Sequence, residues 1–284
     1  MRLLVFGAAG IAGRALVAEA RRRGWPVAGL SRAECDICDE RSVAAALAEH
    51  APDLVVNCAA YTRVDDCEDD EAAASRVNDL AVGGMARACE EREVRWIHLS
   101  TDYVFDGLAQ RPYDETAAPA PLSAYGRTKR GGERHALASP RALLVRTSAL
   151  FGAGGPNFVD SIAGRLRRRQ GPLRVVDDQV TAPTYAPFLA RALADLGESA
   201  TTGIVHYRNR EPVSWYELAR AVARELASDL EIVPVPTAEF PRPARRPPRS
   251  VLAVDKFEAT CGRRVEPWAE GLERHLAATA EERR

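Results

Sequence analysis

The sequence predicts an α/β fold built on a doubly wound parallel sheet. Short apolar runs at residues 2–6, 27–30 and 54–58 indicate three buried strands, and helical patterns separate them, one ending at Arg23 and one over 42–49. This β-α-β-α-β order with short connections implies parallel strands covered by helices on both faces. A glycine-rich turn directly after the first strand agrees with that arrangement.

The remaining elements extend the same alternation. A helix over about 72–91, a strand over 94–99, a helix over 124–137 and a strand over 142–146 follow in order. After a glycine-rich break at 151–156 we expect helix 158–169, strand 173–176, helix 186–196, strand 203–207, helix 214–227 and a terminal helix over about 266–280. The proline-rich stretches 111–121 and 239–249 are expected to be loops.

Composition excludes several classes of function. The 284 residues are 46% hydrophobic and 28% charged, which is typical of a globular protein with an ample core. The net charge of −1 gives no electrostatic case for binding nucleic acid or an anionic membrane. No apolar run approaches the roughly 18 residues of a membrane span, and the N-terminus has no signal-like apolar stretch. We therefore expect a cytoplasmic protein.

Six cysteines and five histidines lack the spacing of a metal site, so no metal is predicted. Reduced, scattered thiols are the expected state of the cysteines. Of the 39 basic residues only Lys129 and Lys256 are lysine. A lysine in so arginine-rich a chain suggests a position that needs a compact ammonium.

Gly7, Gly10 and Gly13 stand between the first strand and the first helix. Glycines there allow a tight turn and close approach of the backbone to a pyrophosphate, and the helix N-terminus offers free N–H groups. The first gap is one residue wider than in the usual dinucleotide fingerprint. We interpret the motif as dinucleotide binding; the alternative is a turn that serves only helix–sheet packing.

The end of the second strand usually selects the cofactor. An acid there binds the adenosine ribose, whereas an arginine accepts a 2′-phosphate. The sequence has Ser31 and Arg32 at this place and no acid, which favours NADPH over NADH, with NADH kept as an alternative. Asp36 and Ile37 follow closely enough to border the adenine.

Hydroxyls and a carboxylate crowd the end of the strand over 94–99. Ser100, Thr101 and Asp102 follow it directly, and ligands of open α/β sheets bind beyond the carboxyl ends of the strands. A substrate site is one interpretation. A hydroxyl-capped turn is the other.

Tyr125 and Lys129 are four residues apart and share one face of a predicted helix. An ammonium beside a phenol favours the phenolate and lowers the phenol pKa, which would let Tyr125 donate a proton to a carbonyl near neutral pH. The alternative is an exposed aromatic–cation pair.

Together these motifs resemble the extended short-chain dehydrogenase/reductases, and more specifically the dTDP-4-dehydrorhamnose reductases. Matching segments occur in order over nearly the whole chain, at residues 7–13, 56–65, 77–78, 99–107, 125–129, 146–148, 157–158, 178–184 and 246–250. The resemblance implies a Rossmann-type cofactor domain at 1–150. It also implies a smaller interleaved substrate portion at 151–284, with segments of about 173–207 returning to the first domain.

The same resemblance implies a reaction and the residues that carry it. The expected reaction is NAD(P)H-dependent reduction of the C4 keto group of a nucleotide-linked 4-keto-6-deoxysugar, dTDP-4-dehydrorhamnose to dTDP-rhamnose. Tyr125 would be the general acid, Lys129 would hold the nicotinamide ribose and tune Tyr125, and Thr101 would bind the substrate carbonyl.

Binding roles are implied in the same way. For the cofactor they fall on Gly10, Ile11 and Ala12 at the pyrophosphate, on Asp36 and Ile37 at the adenine, and on Ala60, Tyr61 and Thr62 along its length. For the substrate, Asp102 would contact the sugar, and Asn157 and Arg246 are candidates for the nucleotide diphosphate.

Two departures and two alternatives accompany this prediction, and the first departure is the absent acid after the second strand, which concerns only the cofactor. Members of the family commonly carry Trp after Arg-Thr-Ser, where this chain has Ala149, so the identity of the sugar stays open. A sugar-nucleotide epimerase or dehydratase on the same fold is one alternative function. A non-catalytic NADP(H)-binding regulatory subunit is the other, and a homodimer is an open possibility.

Overall fold

The computed structural model describes residues 1–281, and residues 282–284 lie outside the described part. Its strands are β1 (Leu3–Phe6), β2 (Val27–Leu30), β3 (Leu54–Asn57), β4 (Arg95–Thr101), β5 (Ala142–Thr147), β6 (Leu150–Phe151), β7 (Leu173–Val176), β8 (Val180–Thr181), β9 (Thr184–Tyr185), β10 (Gly203–His206), β11 (Val213–Ser214) and β12 (Ile232–Val235). Its α-helices are α1 (Ile11–Arg22), α2 (Glu40–His50), α3 (Asp66–Asp69), α4 (Glu71–Ser75), α5 (Ala81–Glu91), α6 (Ala124–Ala138), α7 (Phe158–Arg167), α8 (Ala186–Glu198), α9 (Trp215–Glu225), α10 (Asp255–Cys261) and α11 (Trp268–Glu281).

A six-stranded sheet in the order β2-β1-β3-β4-β5-β10 forms the centre of the molecule, and all of its pairs are parallel. The chain leaves β1 toward β2 on one side and returns to β3 on the other. Such a reversal opens a crevice at the carboxyl ends of the two strands, and in open α/β sheets ligands bind there. The crevice lies between the ends of β1 and β3.

Two apolar clusters cover the two faces of the sheet. One joins the sheet to α1, α7, α8 and α9, and the other joins it to α2, α5 and α6. Fully buried strands such as Leu3–Phe6 and Leu54–Asn57 contribute side chains to both faces, which is why they appear as continuous apolar runs. The predicted doubly wound α/β class is confirmed.

The predicted helix over about 72–91 is present but is not uniform. A single π-helical turn, Arg76–Leu80, joins α4 to α5. It places Asn78 in a buried position. Such turns are rare and frequently mark functional sites.

The C-terminal half divides between the main sheet and smaller layers. Helix α8 packs on α1 and β10 pairs with β5, so these parts of 173–207 lie in the main α/β layers. Strand β7 instead pairs with β12, outside the main sheet. The sequence prediction missed β12, whose run Ile232–Val235 contains Pro234, and it missed the short helix α10. The proposed boundary at residue 150 stays a prediction.

Within residues 1–281, no helix has both the length and the apolar character needed to span a membrane.

Candidate active site

The glycine turn brings three elements of the fold into backbone contact. Gly7 adopts φ +75° and donates its N–H to the carbonyl of Leu30. A Cβ on Gly7 would lie 2.6 Å from the backbone nitrogen of Ala59, and one on Gly13 would overlap the carbonyl of Gly7. Only glycine fits at both positions, so β1, α1 and the chain after β3 meet at the crevice.

Helix α1 begins in a way that suits an anion. Its N-cap is Gly10, which has no side chain to accept from the first N–H groups, and its first turn carries no acid. Ile11 and Ala12 are the first helical residues. Open N–H groups at a helix N-terminus bind phosphate, and the residues present therefore fit the pyrophosphate of a dinucleotide.

A cleft extends from this turn across the end of the sheet. Of the predicted cofactor residues it is lined by Gly7, Gly10, Arg32, Asp36, Ile37, Ala60 and Tyr61. Thr62 is exposed and does not line it. Five further residues that line it were not predicted from the sequence: Ala9, Cys35, Cys58, Ala59 and Val77.

The sequence predicts no acid at the end of β2, but the structure places the carboxylate of Glu34 there. The carboxylate of Glu34 accepts the backbone N–H of Ser31 at 2.7 Å, and this interaction lowers the pKa of Glu34. Ser31 and Glu34 line a second hollow beside α1, whereas Arg32 extends into solvent 3.7 Å from Asp36. Glu34 could not be predicted from the residues of the strand itself. It lies three residues beyond Ser31, and the turn after β2 brings its carboxylate back to the end of the strand.

Asn78 fixes the loop that carries Tyr61. Its Oδ1 accepts the N–H of Tyr61 at 2.8 Å, and its Nδ2 donates to the carbonyl of Tyr61 and to the hydroxyl of Thr128. The π-helical turn thereby joins the cofactor cleft to α6. The sequence predicts no role for Asn78, because only the π-helical turn directs its side chain at this loop.

Thr101 caps the turn at the end of β4, and its place in a substrate site stays a prediction. Its Oγ1 accepts the N–H of Tyr103 at 3.2 Å and so caps a 3₁₀ turn over Asp102–Val104. Its hydroxyl also donates to Asp102 at 3.0 Å and interacts with the phenol of Tyr125. The capped turn and the candidate chemical group are therefore the same residue.

Tyr125 lies at the start of α6, half-buried, with its ring packed edge-on against Tyr103 at 5.9 Å. We expected Lys129 to lower the pKa of this phenol, and that expectation is wrong for this structure. Burial, together with the negative charge of Asp102, raises the pKa of Tyr125. Lys129 is directed elsewhere, so its charge does not offset the desolvation of the phenol.

Lys129 is 2% exposed, and its side chain reaches the inner strand β4. Its Nζ donates to the carbonyl of Leu99 at 2.6 Å and lies 3.3 Å from Nε2 of His98. Burial lowers the pKa of Lys129 to about 8, against a smaller opposing effect of Glu133.

Asp102 is enclosed by its own chain. One carboxylate oxygen accepts from Thr101, and the other accepts from the hydroxyl of Ser250. Burial raises the pKa of Asp102 to about 7, although both hydrogen bonds act in the opposite direction. Ser250 thereby ties the C-terminal loop to the end of β4.

A buried ion pair stabilises the end of β4. The Arg146 guanidinium makes two parallel bonds to Glu133, at 2.7 and 2.8 Å, and the pair is almost completely excluded from solvent. Glu133 also accepts the hydroxyl of Ser100 at 2.8 Å. The residue before Thr101 is therefore anchored to α6 and β5 at once.

The two candidates for the nucleotide diphosphate are engaged within the protein. Arg246 forms a two-pronged bond to Asp65, with both N···O distances at 3.0 Å. Asn157 is the N-cap of α7, accepting from the N–H of Asp160 and donating to its carboxylate.

Within residues 1–281 no group of three or more His, Cys, Asp or Glu side chains is arranged to hold a metal ion.

A crevice suited to a dinucleotide opens at the carboxyl ends of β1 and β3, and the candidate residues Thr101, Tyr125 and Lys129 lie at the end of the neighbouring strand β4 and on α6. Fold and site together define an oxidoreductase of the extended short-chain dehydrogenase/reductase class.

Comparison with known proteins narrows this class. Residues 1–281 match the family model described as RmlD substrate binding domain. The chain is 43% identical over 276 residues to a probable dTDP-4,6-dihydroxy-2-methyloxan-3-one 4-ketoreductase of Streptomyces antibioticus, covering 96% of this chain and 93% of that protein. It is 40% identical over 287 residues to a dTDP-4-dehydrorhamnose reductase of Mycobacterium tuberculosis, covering 98% and 93%.

A solved structure supports the same family assignment. The dTDP-4-dehydrorhamnose reductase of Bacillus anthracis in complex with NADP superposes with a TM-score of 0.93 at 30% identity, covering 98% of this chain and 99% of that one. The chain belongs to the dTDP-4-dehydrorhamnose reductase family.

Proposed function

We propose that this protein reduces the C4 keto group of a dTDP-linked 4-keto-6-deoxysugar with NADPH, converting dTDP-4-dehydrorhamnose to dTDP-rhamnose. The observation that carries the proposal is the interaction of the Thr101 hydroxyl with the Tyr125 phenol at the end of β4, the strand next to β3, whose following residues line the cofactor cleft. Two proton-bearing groups there suit one carbonyl oxygen. The names of the relatives support the substrate class.

Each group of the site has one role in the proposed reaction. The Thr101 hydroxyl turns its single proton from Asp102 to the substrate carbonyl oxygen and orients that oxygen. Bound NADPH supplies the hydride that forms the new C–H bond at C4. Tyr125 gives its phenolic proton to the same oxygen, so the C=O double bond becomes a secondary alcohol and the phenol becomes a phenolate. Lys129 holds the nicotinamide ribose.

The raised pKa of Tyr125 is compatible with this role. A phenol with a raised pKa keeps its proton at neutral pH, so the acid is present when the substrate binds. The oxygen becomes far more basic as hydride adds to the carbon, and proton transfer from a phenol is then favourable. Burial therefore keeps the phenol protonated until hydride adds to the substrate carbon.

The proposed cofactor residues are Gly7, Gly10, Ile11, Ala12, Gly13, Ser31, Arg32, Asp36, Ile37, Ala60, Tyr61, Thr62, Tyr125 and Lys129. NADPH is proposed because Ser31 and Arg32 stand at the end of β2 and because the related Bacillus anthracis enzyme was solved with NADP. NADH remains the alternative cofactor.

Glu34 is expected to weaken the preference for NADPH. Its carboxylate sits on the N–H of Ser31, where it repels a 2′-phosphate and can accept from a ribose hydroxyl. We expect Glu34→Gln to lower the KM for NADPH by about 3- to 10-fold relative to that for NADH. Parallel KM measurements with both cofactors test this, with Glu49→Gln, on the exposed side of α2, as the control. An unchanged ratio contradicts it.

Asp102, Asn157 and Arg246 stay proposed substrate contacts. For Arg246 to bind a diphosphate, it must share or leave Asp65, and for Asp102 to bind the sugar, it must do the same with Ser250. Ala149, at φ +41°, holds the place where the family commonly has Trp, and it is the position most relevant to the choice of sugar.

Location and assembly complete the proposal. All six cysteines are free thiols, which supports a reducing compartment such as the cytoplasm. A homodimer stays a prediction.

Net consumption of reduced cofactor tests the proposed function. With dTDP-4-dehydrorhamnose we expect one NADPH oxidised for each dTDP-rhamnose formed. An epimerase or dehydratase retains its nicotinamide through the cycle, so turnover without net NADPH loss supports that alternative. Absence of turnover with any nucleotide-linked keto-sugar, together with a stoichiometric protein partner, supports the regulatory subunit.

A further inference from the structure

A buried row of polar side chains connects the cofactor cleft to Lys129. Asn57, at the end of β3, and His98, in β4, are register partners on neighbouring parallel strands, so their side chains lie on the same face. Both are 0% exposed, and Nδ2 of Asn57 is 3.2 Å from Nδ1 of His98. Lys129 continues the row from α6, with Nζ 3.3 Å from Nε2 of His98.

The orientation of the Asn57 amide is fixed by the cleft itself. Its Oδ1 accepts the backbone N–H of Ala59 at 3.0 Å, and Ala59 lines the cofactor cleft. The nitrogen of the amide must therefore face His98. An amide nitrogen only donates, so Nδ1 of His98 is the acceptor and the proton of the neutral ring lies on Nε2.

His98 is neutral in this environment. Burial is the main cause that holds the pKa of His98 well below its usual range, and a charged Lys129 lowers that pKa further. The ring thus has one N–H, on Nε2, and that N–H is directed at Nζ of Lys129.

An ammonium and an N–H group cannot bond to one another, because an ammonium has three donors and no acceptor. A free amine has a lone pair, which can accept from Nε2 of His98 while an amine hydrogen is donated to the carbonyl of Leu99. The contact is therefore attractive only for the neutral form of Lys129.

The other groups that act on Lys129 do not reverse this preference. Cys58 lies on the chain after β3 and Glu133 lies one turn further along α6; both raise the pKa of Lys129 by less than burial lowers it. The Glu133 carboxylate is already paired with the Arg146 guanidinium. The net direction is down, to a pKa of about 8.

We propose that His98, with its ring held by Asn57, is a positioning residue for Lys129 that holds the side-chain nitrogen beneath Leu99 and favours its neutral form. The proposal rests on the proposed function only in that Lys129 is the residue assigned to the nicotinamide ribose. The row begins at Ala59 in the cleft wall, so the charge of Lys129 is linked to the structure of the cofactor site.

The tautomer of His98 provides the first test. Nitrogen-15 NMR of the histidine rings, in protein without added nucleotide, distinguishes a protonated Nε2 from a protonated Nδ1, and His98→Gln assigns the signal. We expect Nε2 of His98 to carry the proton. A proton on Nδ1 overturns the proposal, because Nε2 would then accept from an ammonium. This test uses the unmodified protein and needs no turnover.

The titration of Lys129 provides the second test. The chain has only two lysines, so lysine labelled with carbon-13 at Cε gives two signals, and Lys256→Arg assigns them. We expect the signal of Lys129 to titrate near pH 8. In His98→Gln the new amide oxygen can accept from an ammonium, and we expect the midpoint to rise by about one pH unit, a tenfold change in proton affinity.

His98→Leu is the matched control, since it is neutral and supplies neither donor nor acceptor. It removes the Nε2–H that favours the free amine while burial still acts, so we expect the midpoint of Lys129 to rise, but by less than in His98→Gln. Equal midpoints in wild type, His98→Gln and His98→Leu mean that burial alone sets the charge, which overturns the proposal. If the wild-type protein gives the expected NMR results but does not oxidise NADPH with the keto-sugar, the proposed function is contradicted and the proposal for His98 is not.

Discussion

Tyr125→Phe is expected to lower kcat by about 10²- to 10⁴-fold, the usual contribution of a general acid. The change removes only the phenolic oxygen, and with it the proton that the proposed reaction gives to the substrate oxygen. This corresponds to about 3–5 kcal/mol of transition-state stabilisation. Because the ring and its packing on Tyr103 are retained, we expect KM to change little. Steady-state NADPH oxidation measures both constants.

The matched control is Tyr216→Phe, the same change on α9, remote from the site. It is expected to keep kcat within about twofold, while the Tyr125→Phe protein keeps its wild-type unfolding midpoint. A Tyr125→Phe enzyme with near-normal kcat shows that another group supplies the proton, and the role assigned to Tyr125 is then wrong.

Glu133→Gln is expected to lower the free energy of unfolding by about 3–5 kcal/mol, because it leaves the buried Arg146 guanidinium without its carboxylate. The substitution is nearly isosteric, so little of the loss arises from packing. Denaturant titration with an unchanged m value measures it. Since Glu133 also holds Ser100, we expect activity to fall as well.

Another pair that involves α6 supplies the control. Arg127 and Glu71 are bridged at 2.7 Å, but both side chains are close to half exposed. Exposed pairs contribute at most about 1 kcal/mol, so Glu71→Gln should cost far less than Glu133→Gln. Equal losses for the two variants contradict the role given to the buried pair.

Most of the fold was predictable from hydrophobic periodicity and from the glycine and proline residues between elements. Strand Val27–Leu30 and the start of α6 at Ala124 are found as predicted, because apolar runs and helix starts are local signals. Pairing is not local: β7 was expected near the main sheet, but its partner β12 lies about 60 residues further along the chain. Short strands such as β8 and β11 lack enough residues to show a period.

The chemical groups were predictable, but their electrostatic state was not. Spacing and strand ends indicated Thr101, Tyr125 and Lys129. The direction of the Tyr125 pKa depends on burial and on Asp102, and the position of Lys129 depends on Leu99 and His98 across the sheet. Such contacts join residues far apart in the chain, so no local pattern contains them.

Isotope transfer tests the central claim, carbonyl reduction at C4, most directly. The enzyme is supplied with dTDP-4-dehydrorhamnose and NADPH carrying deuterium at both C4 positions of the nicotinamide, and the product is analysed by proton NMR and mass spectrometry. We predict one deuterium in each product molecule, located at C4 of the sugar. Product without deuterium, or with deuterium at another carbon, contradicts the reaction proposed for Thr101, Tyr125 and Lys129.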